Sequence, residues 1–234
     1  MISNELDIEP YRARLRALGR VQIPSFLQED AAQRLHACLR DEVPWETAQR
    51  TDAPPLPGLP AAATPGSAED AALLQAVSER ARDGFEFYFD RYRMIDARRD
   101  GQDPHLVLHA VVDFLNSEPF LQFARHLAGD PAIRMVSAIA VRYRNGHFLR
   151  VHNDKAASEE RSCAYVINLA REWQPDWGGL LQFLDAGERR VVETFTPTWN
   201  SLSLFRVPQP HVVSQVAPWA REPRLSITGW FRRG

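Results

Sequence analysis

The sequence predicts an α+β fold in which helices fill the first half and a sandwich or jelly-roll barrel of short strands follows. Two observations carry this. Apolar residues recur at helical spacing up to about residue 130, and after Pro131 the texture changes to short runs rich in β-branched and aromatic residues, separated by Pro, Gly and Asp turns. At 234 residues the chain can bury a full core. It reads as a single domain, with 1–130 a mainly helical support and 131–234 the jelly-roll core.

Taken in order, Arg20 to Leu27 reads as a short strand entering a turn, and Glu29 to Asp41 as a helix with Leu35, Cys38 and Leu39 on one stripe. Residues 52–66 hold five prolines and two glycines, so no packed element fits there and a loop or flap is expected. A helix is expected from Ser67 to Phe89, capped by Ser67, with the aromatic run Phe85, Phe87, Tyr88, Phe89 and Tyr92 packing it against a sheet. Asp96 to Asp103 reads as a charged loop, and His105 to Ala128 as one or two helices broken near Asn116–Pro119. Strands are expected at Met135–Tyr143, Ser162–Leu169, Gly179–Leu184, Arg190–Phe195, Ser201–Phe205, His211–Val216 and Leu225–Phe231.

Composition excludes several classes. The chain is 44% hydrophobic and 25% charged, with a net charge of −2, which gives no electrostatic reason to bind nucleic acid or a membrane surface. Lys155 is the one lysine among 28 basic residues, an Arg excess that reads as base-composition bias rather than a phosphate-binding surface. The N-terminal stretch lacks the apolar core of a signal peptide, and no apolar run approaches a membrane span. Cys38 and Cys163 stand far apart outside any CxxC motif, so a reducing cytoplasmic setting is expected. Oligomeric state is left open.

The chemistry concentrates in VRYRNGHFLRVHND, residues 141–154. His152 and Asp154 are two apart, which on an extended strand would send an imidazole and a carboxylate to one face. An HxD pair alone is weak, and is more often a surface hydrogen bond than a metal site. His211 offers a third ligand, and two His with one carboxylate make the facial triad of non-haem Fe(II), with positions left for a chelating co-substrate and dioxygen. Arg224, Ser226 and Thr228 share a face of the last strand. A guanidinium pointing into a barrel needs an anion, and the fitting one is the carboxylate of a bound small acid, assisted by the Thr228 hydroxyl. Arg150 and Arg206 are candidate contacts at the pocket mouth, with solvated surface positions the plainer expectation. His105, His109 and His126 are expected in structural roles, and no GxSxG, P-loop or GxGxxG motif competes.

Several pieces fall in one order: Y-x-x-G before H-x-D (Tyr143, Gly146, His152, Asp154), then W-x-x-x-W-G-G-x-L-x-F (Trp173 to Phe183), the distal His211, and R-x-x-x-T-x-W-F (Arg224 to Phe231). In these the chain resembles the Fe(II)- and 2-oxoglutarate-dependent dioxygenases, on their prolyl-4-hydroxylase-like branch. The resemblance implies a double-stranded β-helix, a cupin-like jelly roll, with iron on His152, Asp154 and His211. It implies Arg224 and Thr228 on the distal carboxylate of 2-oxoglutarate with Tyr143 donating its hydroxyl. Asn168 stands where several relatives carry a second pocket Tyr, which predicts altered co-substrate affinity or pocket depth. Fe(II), 2-oxoglutarate and dioxygen are the implied cofactors, with ascorbate as an accessory. The implied reaction is hydroxylation of a prolyl residue in a peptide or protein, coupled to decarboxylation of 2-oxoglutarate. The same chemistry on a free amino acid or small metabolite, a zinc hydrolase, and a non-catalytic metal-binding barrel are the alternatives. Whether 52–66 acts as a lid is open at this point.

Overall fold

In the computed structural model, which describes residues 1–156 and 159–233, the helical half begins with α1 (Glu9–Leu18). Pro10 sits in its first turn, where a missing N–H costs nothing. The helix ends at Gly19, whose φ of 71° lets its N–H return to the Leu15 carbonyl. Strand β1 (Arg20–Ile23) follows, then α2 (Glu29–Asp41), which buries Ala32, Leu35, His36, Cys38 and Leu39. His36 is thus a core residue, its Nδ1 2.8 Å from the Leu169 carbonyl. After β2 (Glu46–Gln49), residues 52–66 form no helix or strand, as the prolines require.

Two expectations fail in the next stretch. Helix α3 (Ala68–Arg80) is capped as expected, Ser67 Oγ accepting from Asp70 N at 3.2 Å, but it does not continue to Phe89. Phe87–Tyr92 is strand β3, alternating half-buried and buried, because Phe and Tyr fit a pleated surface and the helix has already given way to a turn over residues 81–84. The charged stretch expected as a loop is mostly helix α4 (Met94–Asp100), which buries Met94 and Ala97 on one face and closes on Gly101 at φ 66°. Helices α5 (Leu108–Leu115) and α6 (Glu118–Ala128) meet at the expected break.

The strand half contains β4 (Met135–Val136), β5 (Ile139–Tyr143), β6 (Phe148–His152), β7 (Arg161–Asn168), β8 (Leu181–Leu184), β9 (Val191–Phe195), β10 (Ser201–Arg206), β11 (His211–Val213) and β12 (Arg224–Arg232). The stretch expected as one strand from Met135 divides in two at Ser137, whose carbonyl crosses β12 so closely that a Cβ on Gly229 would lie 1.9 Å from it. All pairings are antiparallel, in the order β1-β10-β7-β12-β5-β3-β6-β11-β8-β9, with β2 on β3 and β4 on β12. This is a nearly closed jelly-roll barrel, so three strands of the N-terminal half join those of the C-terminal half.

The path's ends are linked by side chains. Glu193 on β9 pairs with Arg14 and with Arg20 on β1, and Gln22 Nε2 donates to the Thr196 carbonyl at 2.9 Å. Alternation along β12 divides its residues between two environments. Leu225, Ile227 and Phe231 join the main core with Leu35, Leu39, Leu121 and Leu204, under the helices. Emptying such a site, as in Ile227→Ala, costs about 2–5 kcal/mol. The other face of β12 looks into the barrel. No helix among the described residues is long and apolar enough to cross a membrane.

Candidate active site

The barrel encloses a cavity of about 260 Å³, bounded by residues of β3, β5, β6, β7, β8, β10, β11 and β12. His152 and His211 both line it. They face each other as register partners of β6 and β11, with ring centroids 4.1 Å apart. Each imidazole has Nδ1 within hydrogen-bond distance of a carbonyl two residues back: His152 to Arg150 at 2.9 Å, His211 to Gln209 at 2.8 Å. Donation to those carbonyls assigns the proton to Nδ1 and leaves each Nε2 lone pair free for a Lewis acid.

Asp154 completes the group, though not as the sequence suggested. Strand β6 stops at His152, and Asp154 lies beyond it in a left-handed bend, φ 60°, rather than beside His152 on an extended strand. The bend brings Oδ1 to 3.3 Å from His152 Nε2 and Oδ2 to 3.6 Å from His211 Nε2. One donor atom from each of the three residues lies within 4.8 Å of the others, a span one metal ion can bridge. Burial, reinforced by the neighbouring His152, lowers His211 to about 4, so its ring is neutral at physiological pH and fit to ligate. Burial pushes Asp154 upward, but contacts from His152, His211 and Trp230 outweigh it and keep the carboxyl below its usual value.

At the other end of the cavity stands Arg224, 2% exposed. Its Nε and Nη1 have no hydrogen-bond partner among the described residues, and Nη2 reaches only Asn168 Oδ1 at a long 3.5 Å. The guanidinium carbon lies 5.3 Å from the centre of the Tyr143 ring. Burial lowers the guanidinium's pKa and raises that of the Tyr143 hydroxyl. An unpartnered buried guanidinium is costly, and an anion inside the cavity is what would relieve it. Tyr143 and Thr228 line the same space, Thr228 with its hydroxyl donating to the Tyr165 carbonyl at 2.6 Å. Asn168 does not line it. It sits behind Arg224, its amide donating to Ser201 and Ser203 hydroxyls at 3.1 and 3.3 Å.

The W-x-x-x-W-G-G run has a physical reading. Trp173 donates to the Gly178 carbonyl at 3.0 Å and packs edge-on against Trp177. Gly178 and Gly179 hold φ of 69° and 60°. A Cβ at Gly178 would lie 2.0 Å from the Gln215 carbonyl, and one at Gly179 would lie 3.4 Å from Arg224 Cδ. Gly178 therefore lets the chain cross the Gln215 backbone, and Gly179 sits tightest against Trp173 and Val216, beside the buried arginine.

Sequence reasoning missed an entire wall. Phe85, Phe87 and Phe89 project into the cavity as a ladder, with centroid separations of 5.9 and 5.3 Å, and Phe89 reaches Tyr143 at 5.2 Å. The i, i+2, i+4 spacing carries the signal, which the expectation of a helix through Phe89 with the aromatic run packed in the core conceals. Tyr88 and Tyr92, on the opposite face of β3, do belong to the core. Arg161 was also missed, although it lines the cavity beside Asp154. Conversely, Arg150 donates to the carbonyls of Ala81 and Gly84, and Arg206 to that of Ala128 at 2.9 Å. Neither lines the cavity, and neither does any residue of 52–66. That segment is fastened elsewhere, through Thr47 to Ala63, Gln49 to Ala61 and Arg80 to Pro54.

Comparison with known proteins bears on the segment that carries this cavity and on the fold. Residues 138–232 match the family described as the 2OG-Fe(II) oxygenase superfamily. A mouse protein named prolyl 3-hydroxylase OGFOD1 is 30% identical over 157 residues, 64% of this chain, which spans only 28% of that relative's length. A 2OG-Fe(II) oxygenase-family oxidoreductase from Burkholderia pseudomallei shares the fold at TM-score 0.66 and 19% identity, over 100% of this chain and 94% of that one. A prolyl hydroxylase from Trichoplax adhaerens, solved with a hypoxia-inducible-factor peptide, gives 0.60 at 16% identity, over 97% and 89%. Residues 138–232 thus carry the 2OG-Fe(II) oxygenase family match, and the barrel has the fold of solved members of that family.

Proposed function

We propose that this protein is an Fe(II)- and 2-oxoglutarate-dependent hydroxylase acting on a prolyl residue within a peptide or protein. The observation that carries the proposal is a single cavity holding both a ready divalent-metal triad and an unpartnered buried guanidinium. His152, Asp154 and His211 would hold the metal. Arg224 would take the far carboxylate of 2-oxoglutarate through its two free nitrogens, with Tyr143 beside it. When bound, the iron and 2-oxoglutarate supply oxidative decarboxylation and insertion of oxygen from dioxygen. The chain's own work is ligation, orientation of the diacid, and exclusion of water by Phe87, Phe89, Val166 and Leu181.

The same wall bears on the substrate. A free amino acid would bring an ammonium and a carboxylate against Phe85 and Phe87 and lose hydration at both, whereas a prolyl residue within a chain presents an uncharged ring. The mouse relative's name and the peptide in the Trichoplax structure support that choice. The reading takes 1–234 as one unit in which 1–130 supports 131–234, and two buried free thiols, Cys38 and Cys163, fit a reducing cytoplasmic setting.

The test is anaerobic visible absorption of the metal-free protein titrated with Fe(II) and then 2-oxoglutarate. A charge-transfer band is expected that His152→Ala abolishes and Arg224→Ala weakens. Metal uptake without a band at saturating 2-oxoglutarate would refute the oxygenase reading. Blocked prolyl peptides should then raise succinate release where free proline does not.

A further inference from the structure

Asp154 lies past the end of its strand in the left-handed region, which is uncommon for non-glycine residues though more open to Asp than to most. Such a residue stays in place only where its surroundings hold it. The flanking residue is held separately, the Asn153 side chain accepting from Lys155 N at 3.0 Å and its carbonyl from Gln209 N at 3.3 Å. Asp154 itself is held from across the barrel. Arg161, the first residue of β7, donates through Nη1 to the Asp154 carbonyl at 3.1 Å, and the same nitrogen lies 3.9 Å from Oδ1 of the carboxylate.

Arg161 is in turn fixed on two further sides. Its Nε donates to Glu159 Oε2 at 2.8 Å, and its guanidinium carbon lies 3.6 Å from the centre of the Trp230 ring. A planar fork can meet a carboxylate, an aromatic face and a carbonyl together, which an ammonium cannot. We propose that Arg161 is a positioning residue that locks the Asp154 bend and thereby presents the carboxylate to the ion shared with His152 and His211. The proposal rests on the metal-site reading above.

The experiment is Mn(II) titration of the metal-free full chain by electron paramagnetic resonance, with thermal midpoints recorded in parallel. Arg161→Met should weaken Mn(II) binding by about 10- to 100-fold, the range for residues that orient metal ligands. Arg161→Lys, which keeps the charge but not the fork, should fall between Met and wild type. Metal-free midpoints close to wild type would separate this effect from simple destabilisation. Affinity within about twofold of wild type in a folded Arg161→Met overturns the proposal, and does so even if peptide-dependent turnover falls, since Arg161 would then serve the substrate instead. Should Arg161→Met not fold, Arg161→Lys decides on the same criterion. A wild-type protein that takes up no His152-dependent Mn(II) overturns the metal-site reading and this proposal with it.

Discussion

Arg144 and Arg224 lie near the same tyrosine and are treated in opposite ways. Arg144 follows Tyr143 at the end of β5, and Arg224 is the register partner of Tyr143 on β12. Arg144 donates to Asp90 Oδ2 at 2.8 Å and Oδ1 at 3.1 Å, and to Asp70 Oδ2 at 2.7 Å. Burial works against its charge, but Asp90 and Asp70 outweigh it and raise its pKa. Asp70 also accepts from Gly66 N at 2.8 Å and the Tyr88 hydroxyl at 2.7 Å, tying the proline-rich segment to the strands that wall the cavity. Arg224 has almost nothing, and burial alone lowers its pKa. The difference separates two uses of a buried charge: a satisfied cation belongs to the fold, and an unsatisfied one facing a cavity awaits a ligand.

Exchanging each arginine for methionine gives the sharpest test of this contrast. Arg224→Met should lose 2-oxoglutarate affinity by about a thousandfold, equal to about 4 kcal/mol, while remaining as stable as wild type or more so. The charge-transfer titration and urea unfolding measure the two halves of that statement. Arg144→Met should do the reverse, losing about 3 kcal/mol of stability in urea because the buried Asp70 carboxylate loses its arginine and Asp90 keeps only Arg142, with co-substrate affinity largely retained in the folded fraction. Equal destabilisation by both substitutions would erase the distinction.

Acid should act on the side of Arg144 before it reaches Arg224. His147, wholly buried and edge-on to Tyr88, is held down at about 4 by desolvation against an ordinary value of 6.5. Between those values the unfolded chain binds a proton that the folded chain refuses. The stability His147 contributes is therefore complete above pH 6.5 and is lost as pH falls toward 4. Urea midpoints of the metal-free protein should show this group removing about 2 kcal/mol between pH 6.5 and 5, and His147→Leu should flatten that part of the slope. The smallest effect belongs to Asn168→Leu, which removes a 3.5 Å contact from behind Arg224. It should change 2-oxoglutarate affinity by about fivefold, or about 1 kcal/mol, without altering metal uptake.

What the sequence disclosed follows from the range of the forces involved. The two faces of β12 were readable because period two is local: Leu225 and Ile227 go to the core, while Arg224, Ser226 and Thr228 line the cavity. The meeting of His152 with His211 was open to ligand chemistry, which needs a third donor, and to the family resemblance, but not to local pattern, since a cross-strand register 59 residues apart leaves no local trace. The Asp154 bend was invisible for a related reason: its conformation depends on neighbours such as Arg161 that arrive from another strand. The Phe85–Phe89 wall was lost to a local error, because a well-capped helix was carried through Asp83-Gly84, although the glycine and the alternating Phe run both signalled its end.

The seam between β1 and β9 is closed by side chains rather than by main chain. Among the described residues no main-chain ladder joins those strands, and Glu193, Arg14, Arg20 and Gln22 fasten them instead. Arg20 also lies 5.2 Å over the Phe183 ring, which in turn packs against His211. A joint made of charge loosens with ionic strength in a way that a hydrogen-bonded ladder does not. Added salt should therefore act first on the wall beside His211, and less on the helix-backed strands around Arg224.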